Sequence, residues 1–117
     1  RRIGEVANLF MNAGIVTITA FVSPFKSDRQ KVREIIGKDF MEVFCAANLD
    51  ICETRDTKGL YKKARLGEIK DFTGISSPYE IPNNPEIIVE TGLLDINDSV
   101  RQIMKYLNEK QLLNLNN

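Results

Sequence analysis

The sequence has 117 residues, 43% of them hydrophobic and 27% charged, and its 16 basic residues balance its 16 acidic ones. This composition is typical of one globular domain, or most of one, and argues against disorder. The zero net charge supplies no overall attraction to nucleic acid or to a membrane surface. Because the sequence contains no histidine, these residues cannot form a Ser-His or Cys-His catalytic pair or an imidazole metal site.

The two cysteines, Cys45 and Cys52, are too few for a zinc knuckle, and both lie beside apolar residues. We therefore expect buried, reduced thiols in a cytoplasmic protein. The sequence has no apolar run of about 18 residues that would mark a membrane span, and no signal-peptide pattern at its start.

Helix and strand patterns alternate along the chain. Apolar residues recur at helical spacing between Ile3 and Phe10, which predicts an amphipathic helix that ends before Gly14. The β-branched run IVTITAFV, from Ile15 to Val22, is apolar on both faces and predicts a buried strand of a parallel sheet.

A second helix is predicted after this strand. The letters SDRQ, from Ser27 to Gln30, are typical of a capping box at a helix start, and Gly37 marks the end. This helix is expected to bury three aliphatic side chains, Val32, Ile35 and Ile36.

Two further strands and two further helices complete the pattern. FMEVFCAA predicts a strand over residues 40–47, and Asn48 is expected to cap a short helix through Cys52. EIIVET predicts a third strand over residues 86–91. An amphipathic helix follows, with a frayed asparagine-rich tail after it, and its apolar positions are Val100, Ile103, Met104 and Leu107.

This alternation predicts an α/β fold with right-handed crossovers, in which a parallel sheet is flanked by helices in three layers. Ligands of such sheets bind beyond the carboxyl ends of the strands. The regions that follow the predicted strands are Ser23, residues 55–72, and Leu93 with Leu94. The sequence therefore predicts a ligand site formed by these three regions.

The segment from Arg55 to Lys70 holds six basic and two acidic residues, a net charge of +4 in an otherwise neutral chain. A solvated helix face is the common explanation for such a run. Glycines near both ends, and Phe72 in a polar surround, favour instead a flap whose cations meet phosphate while the ring stacks on a nucleobase. These features alone indicate a nucleotide or nucleic-acid binder.

Three stretches resemble adenylylsulfate kinases in their order along the chain: RRIGEVANLF, FVSPFKSDRQ and KGLYKKARLGEIKDFTGISSPYE. The resemblance runs from Arg1 to about Leu107. It implies a P-loop nucleoside-kinase-like fold and transfer of the ATP γ-phosphate to the 3′-hydroxyl of adenylyl sulfate, giving phosphoadenylyl sulfate in sulfate assimilation. It also implies ATP and Mg²⁺ as cofactors.

The resemblance assigns residues to both nucleotides. Lys58 is expected to reach the phosphosulfate of adenylyl sulfate, and Phe72 to stack on its adenine. Arg55 and Leu94 are expected to flank the adenine of ATP. The complete set implied for adenylyl sulfate is Val22, Ser23, Lys58, Asp71 and Phe72.

Ser23 is also the implied catalytic position, described in some family members as a phosphoserine intermediate. We expect it to position substrate instead, because phosphoryl transfer depends on orientation and charge neutralisation without a protein nucleophile. Asp71 departs from the glycine usual at its position in the family. Its carboxylate should repel the sulfate unless it points to solvent or pairs with Lys70, which puts substrate affinity in question.

The P-loop motif of this family, G-x-x-x-x-G-K-[ST], does not occur in the 117 residues. The sequence also starts without Met inside a helical pattern, so we expect the motif and the Mg²⁺ site to precede Arg1. Residues 1–117 would then be the carboxyl-terminal part of a kinase domain, with a lid at about residues 55–80. The resemblance leaves open a homodimer, and fusion to or association with an ATP sulfurylase.

Two other functions are weighed against the kinase. A catalytically silent, kinase-like regulatory domain is disfavoured because such a domain has no reason to keep Lys58 and Phe72. A nucleic-acid-binding module is disfavoured by the neutral total charge and the single exposed stacking ring.

Overall fold

The structure, a computed structural model, describes residues 1–112, so the tail predicted to fray lies outside the described residues from position 113. The chain divides into two compact units, each built from two stretches of sequence. The first unit comprises Arg1–Met41 and Asp71–Asn83. The second comprises Glu42–Lys70 and the residues from Asn84 onward.

Two helices form the frame of the first unit, and both were predicted. Helix α1 (Arg2–Asn12) packs against helix α2 (Lys26–Ile36), which continues into a single 3₁₀ turn. Gly4 is buried at this contact, where an added Cβ would lie 3.2 Å from a methyl group of Val32. The close approach of the two helices therefore depends on a residue without a side chain.

The capping box predicted at the start of α2 is wrong. Ser27 makes no cap, and Gln30 Nε2 donates instead to Glu34 Oε1 at 3.1 Å. The free backbone N–H of Lys26 donates to the carboxylate of Glu80 at 2.6 Å. Because Ser27 already lies inside the first turn, a carboxylate from a distant stretch of the chain takes the place of the local cap.

A parallel strand pair forms the frame of the second unit. Strand β1 (Val43–Cys45) pairs with β2 (Ile87–Val89), so both predicted strands are confirmed in shorter form. Val89 is only 1% exposed and lies in the core of this unit with Ala64. The parallel pairing brings the carboxyl ends of β1 and β2 to the same edge.

Three helices belong to the same unit, named α3 (Leu49–Thr54), α4 (Leu60–Arg65) and α5 (Ile96–Glu109). The predicted cap is confirmed, since Asn48 Oδ1 accepts from the N–H of Ile51 at 2.9 Å. Helix α5 contacts β2, and Gln102 Nε2 donates to the carbonyl of Ile88 at 2.8 Å. No helix in residues 1–112 is long and apolar enough to cross a bilayer.

The strand predicted from Ile15 to Val22 is wrong. These residues form no regular element, and Ile18 is 90% exposed. A strand requires neighbours that accept and donate its backbone hydrogen bonds, and no other stretch within residues 1–112 forms a ladder with it. Its β-branched composition predicted a strand, but composition does not supply the partner.

The expectation of buried thiols is also wrong. Both cysteines are free, but Cys45 is exposed and Cys52 is half-buried. Successive side chains of β1 point to opposite faces, and Cys45 lies with Val43 on the face that the described residues leave open. Apolar neighbours in sequence therefore did not indicate burial in space.

Candidate functional site

The turn after the predicted first strand holds Ser23 in an unusual backbone conformation. Its φ is +41°, in the left-handed region that a residue with a Cβ disfavours. Arg29, in the second turn of α2, donates from Nη1 to the carbonyl oxygen of Ser23 at 2.5 Å. Val22 is exposed and Ser23 is half-buried. The conformation of this turn is therefore fixed by a side chain of α2.

The second stretch of the first unit bonds to the same turn. Glu80 donates its N–H to the carbonyl of Pro24 at 2.9 Å, and its own carbonyl accepts from Arg29 Nη2 at 2.6 Å. The guanidinium also lies 5.7 Å from the centroid of the Tyr79 ring, a cation–π contact. We call Arg29 with its two acceptors, the carbonyl oxygens of Ser23 and Glu80, the arginine clamp. It joins the two stretches of chain that make up this unit.

The turn around Phe72 is bonded within itself. The carbonyl of Phe72 accepts from the N–H groups of Ile75, Ser76 and Ser77 at 3.0 to 3.1 Å, and its own N–H donates to Ser76 Oγ at 2.9 Å. The ring is half-buried, so it is less exposed than the sequence suggested. Asp71, just before it, is exposed with φ of +53°. This left-handed backbone explains physically why glycine suits position 71.

The loops beyond β1 and β2 are bonded to each other in the second unit. Ala46 accepts at its carbonyl from the N–H of Gly92 at 3.0 Å and from Thr91 Oγ1 at 3.1 Å. Arg55, at the end of α3, donates from Nη1 to the carbonyl of Thr91 at 2.8 Å. Leu94 lies in the same loop and is half-buried. The structure thus brings Arg55 and the Leu94 loop together at the carboxyl edge of the strands, as predicted.

Within the basic segment, residues 55–70, Lys58 is exposed between α3 and α4. Asp56 caps α4, accepting from the N–H of Leu60 at 2.8 Å and of Lys62 at 3.0 Å. Desolvation raises the pKa of Asp56, but the backbone hydrogen bonds from α4 outweigh it and leave this pKa below its ordinary value. A carboxylate therefore fixes the helix that follows Lys58.

Part of the positive charge in this segment is already paired. Arg65 Nη2 lies 2.5 Å from Glu53 Oε1, and a second hydrogen bond joins Arg65 Nε to the other oxygen at 3.2 Å. This hydrogen bonding lowers the pKa of Glu53 and raises that of Arg65. The net charge counted from the sequence thus overstates what the segment offers to an anion.

Several residues that shape these loops were not predicted as site residues: Arg29, Glu80 and Thr91. Arg29 and Glu80 both lie in stretches that carried the family resemblance, but they act through backbone atoms of other residues. Because every residue has a carbonyl oxygen, a hydrogen bond to one requires no particular residue type or spacing in the sequence. In the sequence, Arg29 stood out only as the arginine of the predicted capping box SDRQ.

The sequence-predicted residues fall into the two units. Val22, Ser23, Asp71 and Phe72 belong to the first unit, whereas Lys58, Arg55 and Leu94 belong to the second. Within residues 1–112, no three or more His, Cys, Asp or Glu side chains come together in a way that could hold a metal ion.

Comparison of the sequence with known proteins gives a consistent result. A sequence profile of the family described as adenylylsulphate kinase matches residues 1–90. An adenylyl-sulfate kinase of Prochlorococcus marinus is 63% identical over 114 residues, which are 97% of this chain and 57% of that protein. One of Clostridium kluyveri is 56% identical over 110 residues, 94% of this chain and 55% of that protein. The chain spans little more than half the length of these curated relatives.

Solved structures show the same likeness. The APS kinase of Mycobacterium tuberculosis, solved in complex with AMPPNP and APS, has a TM-score of 0.83 and 41% identity, over 92% of this chain and 63% of that one. The crystal structure of APE1195 has a TM-score of 0.79 and 40% identity, over 95% of this chain and 63% of that one. The predicted α/β fold, with a parallel sheet and flanking helices, is confirmed.

The left-handed backbone at Asp71 gives a prediction for stability. Asp71→Gly should leave the free energy of unfolding unchanged or raise it by up to about 1 kcal/mol, because glycine adopts positive φ without steric cost. Asp71→Val should lower it by about 1–2 kcal/mol, because a β-branched residue is a severe outlier there. Denaturant unfolding of the full-length protein measures both, and a valine variant as stable as the glycine variant would contradict the assigned conformation.

Proposed function

The chain belongs to the adenylylsulfate kinase family, and we propose that the protein containing it transfers the ATP γ-phosphate to the 3′-hydroxyl of adenylyl sulfate. One structural observation supports this most directly. Arg55 and Leu94, the residues expected beside ATP, lie on mutually bonded loops at the carboxyl edge of a parallel strand pair. Nucleotides bind at that edge in α/β folds, which supports the proposal that these loops bind ATP.

The residues of this chain act by binding and orienting the two nucleotides. We propose that Lys58, which is exposed, carries its ammonium group to the phosphosulfate of adenylyl sulfate. The Phe72 ring stacks on the adenine of the same substrate, and Val22 and Ser23 line its pocket. Asp71 belongs to this group by position, and its exposure lets the carboxylate point to solvent, away from the sulfate.

Phosphoryl transfer places charge on oxygens around the transferred phosphorus, and catalysis depends on aligning the two nucleotides while that charge is neutralised. ATP is the phosphoryl donor, and Mg²⁺ supplies charge neutralisation on its phosphates when bound. We assign no Mg²⁺ ligand to the described residues. Their proposed contribution is the adenine contacts at Arg55 and Leu94 and the adenylyl sulfate pocket.

We propose that residues 55–80 form a lid that closes when adenylyl sulfate is bound. Gly59, Gly67 and Gly74 all have positive φ, at +66°, +76° and +86°, so three positions of this segment have backbone that other residues rarely adopt. The exposed Lys58 and the half-buried Phe72 lie in the same segment. Closure would carry a cation to the phosphosulfate and exclude water from the γ-phosphate.

Hydrogen exchange of the full-length protein tests the lid. Averaged over residues 55–80, amide exchange should slow severalfold when adenylyl sulfate and a non-transferring ATP analogue are added together. Amides of α5, outside the lid, serve as the internal control and should change little. Slow exchange in the free protein that ligands leave unchanged would show that this segment is fixed and does not close as a lid.

Substitution of Phe72 tests the function and the stacking role together. The wild-type full-length protein should form phosphoadenylyl sulfate from ATP and adenylyl sulfate in a coupled assay. Phe72→Ala should raise KM for adenylyl sulfate about 10- to 100-fold, since stacking of one base is worth about 1–3 kcal/mol, and leave KM for ATP within about twofold.

Phe72→Leu is the matched variant for Phe72→Ala, because it keeps apolar volume without an aromatic face, and its effect should be intermediate. Equal increases in KM for both nucleotides would contradict the stacking assignment. A wild-type protein that binds both nucleotides without turnover would contradict the kinase and favour the silent regulatory domain.

Substitution of Ser23 distinguishes positioning from covalent catalysis. Ser23→Ala should lower kcat by no more than about 100-fold, whereas loss of an obligatory serine nucleophile costs about a millionfold in a serine protease. Ser27→Ala, in the exposed first turn of α2, is the control. Loss of all turnover with unchanged substrate binding, together with a trapped phosphoserine in the wild type, would overturn the positioning role.

A further inference from the structure

We propose that Arg29 is a positioning residue of the adenylyl sulfate site, which acts through the backbone carbonyl groups of Ser23 and Glu80. The inference rests on the proposed function, because that function places adenylyl sulfate against Ser23 and Phe72. It assigns a role to a side chain that neither the family motif nor the sequence pattern singled out.

The arginine clamp has the geometry of a rigid two-point link. Nη1 and Nη2 of Arg29 lie 2.5 Å and 2.6 Å from the carbonyl oxygens of Ser23 and Glu80. Both are charge-assisted hydrogen bonds, which are shorter and stronger than neutral ones. The two nitrogens belong to one planar guanidinium, so the distance between the two carbonyl groups is set by the width of that group.

One end of the link restrains a strained residue. Ser23 has φ of +41°, which costs free energy for a residue with a Cβ and persists only where the surroundings enforce it. The hydrogen bond from Arg29 to the Ser23 carbonyl opposes relaxation of this turn toward negative φ. Relaxation would rotate the Ser23 carbonyl and displace the side chain of Ser23, which the proposed function places against the substrate.

The other end of the link holds the stretch of chain that carries the stacking ring. Glu80 lies in the same continuous stretch, Asp71–Asn83, as Phe72. Its N–H also donates to the carbonyl of Pro24, next to Ser23, while its carbonyl accepts from Arg29. Arg29 therefore joins the Ser23 turn to the stretch that bears Phe72.

The two nucleotides should respond differently to loss of this link. Arg29 bonds to residues of the first unit, which carries four of the five residues proposed for adenylyl sulfate. Arg55 and Leu94, proposed for ATP, belong to the second unit and have their own link through the carbonyl of Thr91. Loss of Arg29 should thus affect adenylyl sulfate much more than ATP.

Glu80 separates a positioning effect from a general loss of stability. Its side chain caps α2 at the N–H of Lys26, whereas the clamp uses only its backbone carbonyl. Glu80→Ala therefore removes the cap and leaves both acceptors of Arg29 in place. It should lower the melting temperature without a selective effect on adenylyl sulfate.

The experiment compares Arg29→Met and Arg29→Lys in the full-length enzyme. Arg29→Met should raise KM for adenylyl sulfate at least about 10-fold and lower kcat/KM for it about 100-fold, the size expected of a misplacement near 1 Å, with KM for ATP within about twofold. Arg29→Lys should regain part of this loss, because an ammonium can reach one carbonyl but cannot bridge both in a fixed plane. Lys31→Met, an exposed lysine of the same helix, is the control and should resemble wild type.

The outcomes decide between positioning and other roles. Equal increases in KM for both nucleotides, or the same selective loss in Glu80→Ala, would overturn the proposal. If Arg29→Met does not fold, a folded Arg29→Lys enzyme with wild-type KM for adenylyl sulfate would overturn it as well. If wild type shows no turnover, the proposed function fails separately, and Arg29 is then tested by the dissociation constants for adenylyl sulfate and for ATP.

Discussion

Charged side chains that bond to backbone atoms, instead of to one another, hold the loops of both units. Loops carry carbonyl and N–H groups that no ladder or helix satisfies, and each such group needs a partner. Arg29 donates hydrogen bonds to the carbonyl groups of Ser23 and Glu80, and Arg55 donates one to that of Thr91. The expected ligand contacts sit on these same loops, so their geometry depends on long side chains reaching from helices α2 and α3.

The elements that could be predicted from the sequence are those whose signal is local. The periodicity of α1 and the side-chain cap at Asn48 are both confirmed, since each depends on residues within one or two turns. The strand expected from Ile15 to Val22 failed because a strand also needs a neighbour. The start of α2 failed for the same kind of reason, because its partner, Glu80, is distant in sequence.

The same distinction between local signals and distant partners applies to the candidate site. The position of Arg55 and Leu94 at the carboxyl edge followed from strand order alone, which the alternation of elements indicates. The residues alone indicated that Phe72 stacks on a nucleobase beside phosphate-binding cations, but the assignment of Lys58 and Phe72 to adenylyl sulfate came from the family resemblance. Neither the strand order nor the family resemblance indicated the role of Arg29. It bonds to backbone oxygens, which any residue can supply.

This use of arginine also affects which cations remain for an anionic ligand. Arg65 is paired with Glu53, and the guanidinium of Arg29 donates to the carbonyl oxygens of Ser23 and Glu80. The Arg65–Glu53 pair adds little net positive field, since opposite charges at close range cancel at a distance. Under the proposed function, the cation that meets the phosphosulfate is Lys58, which is exposed and has a flexible stem.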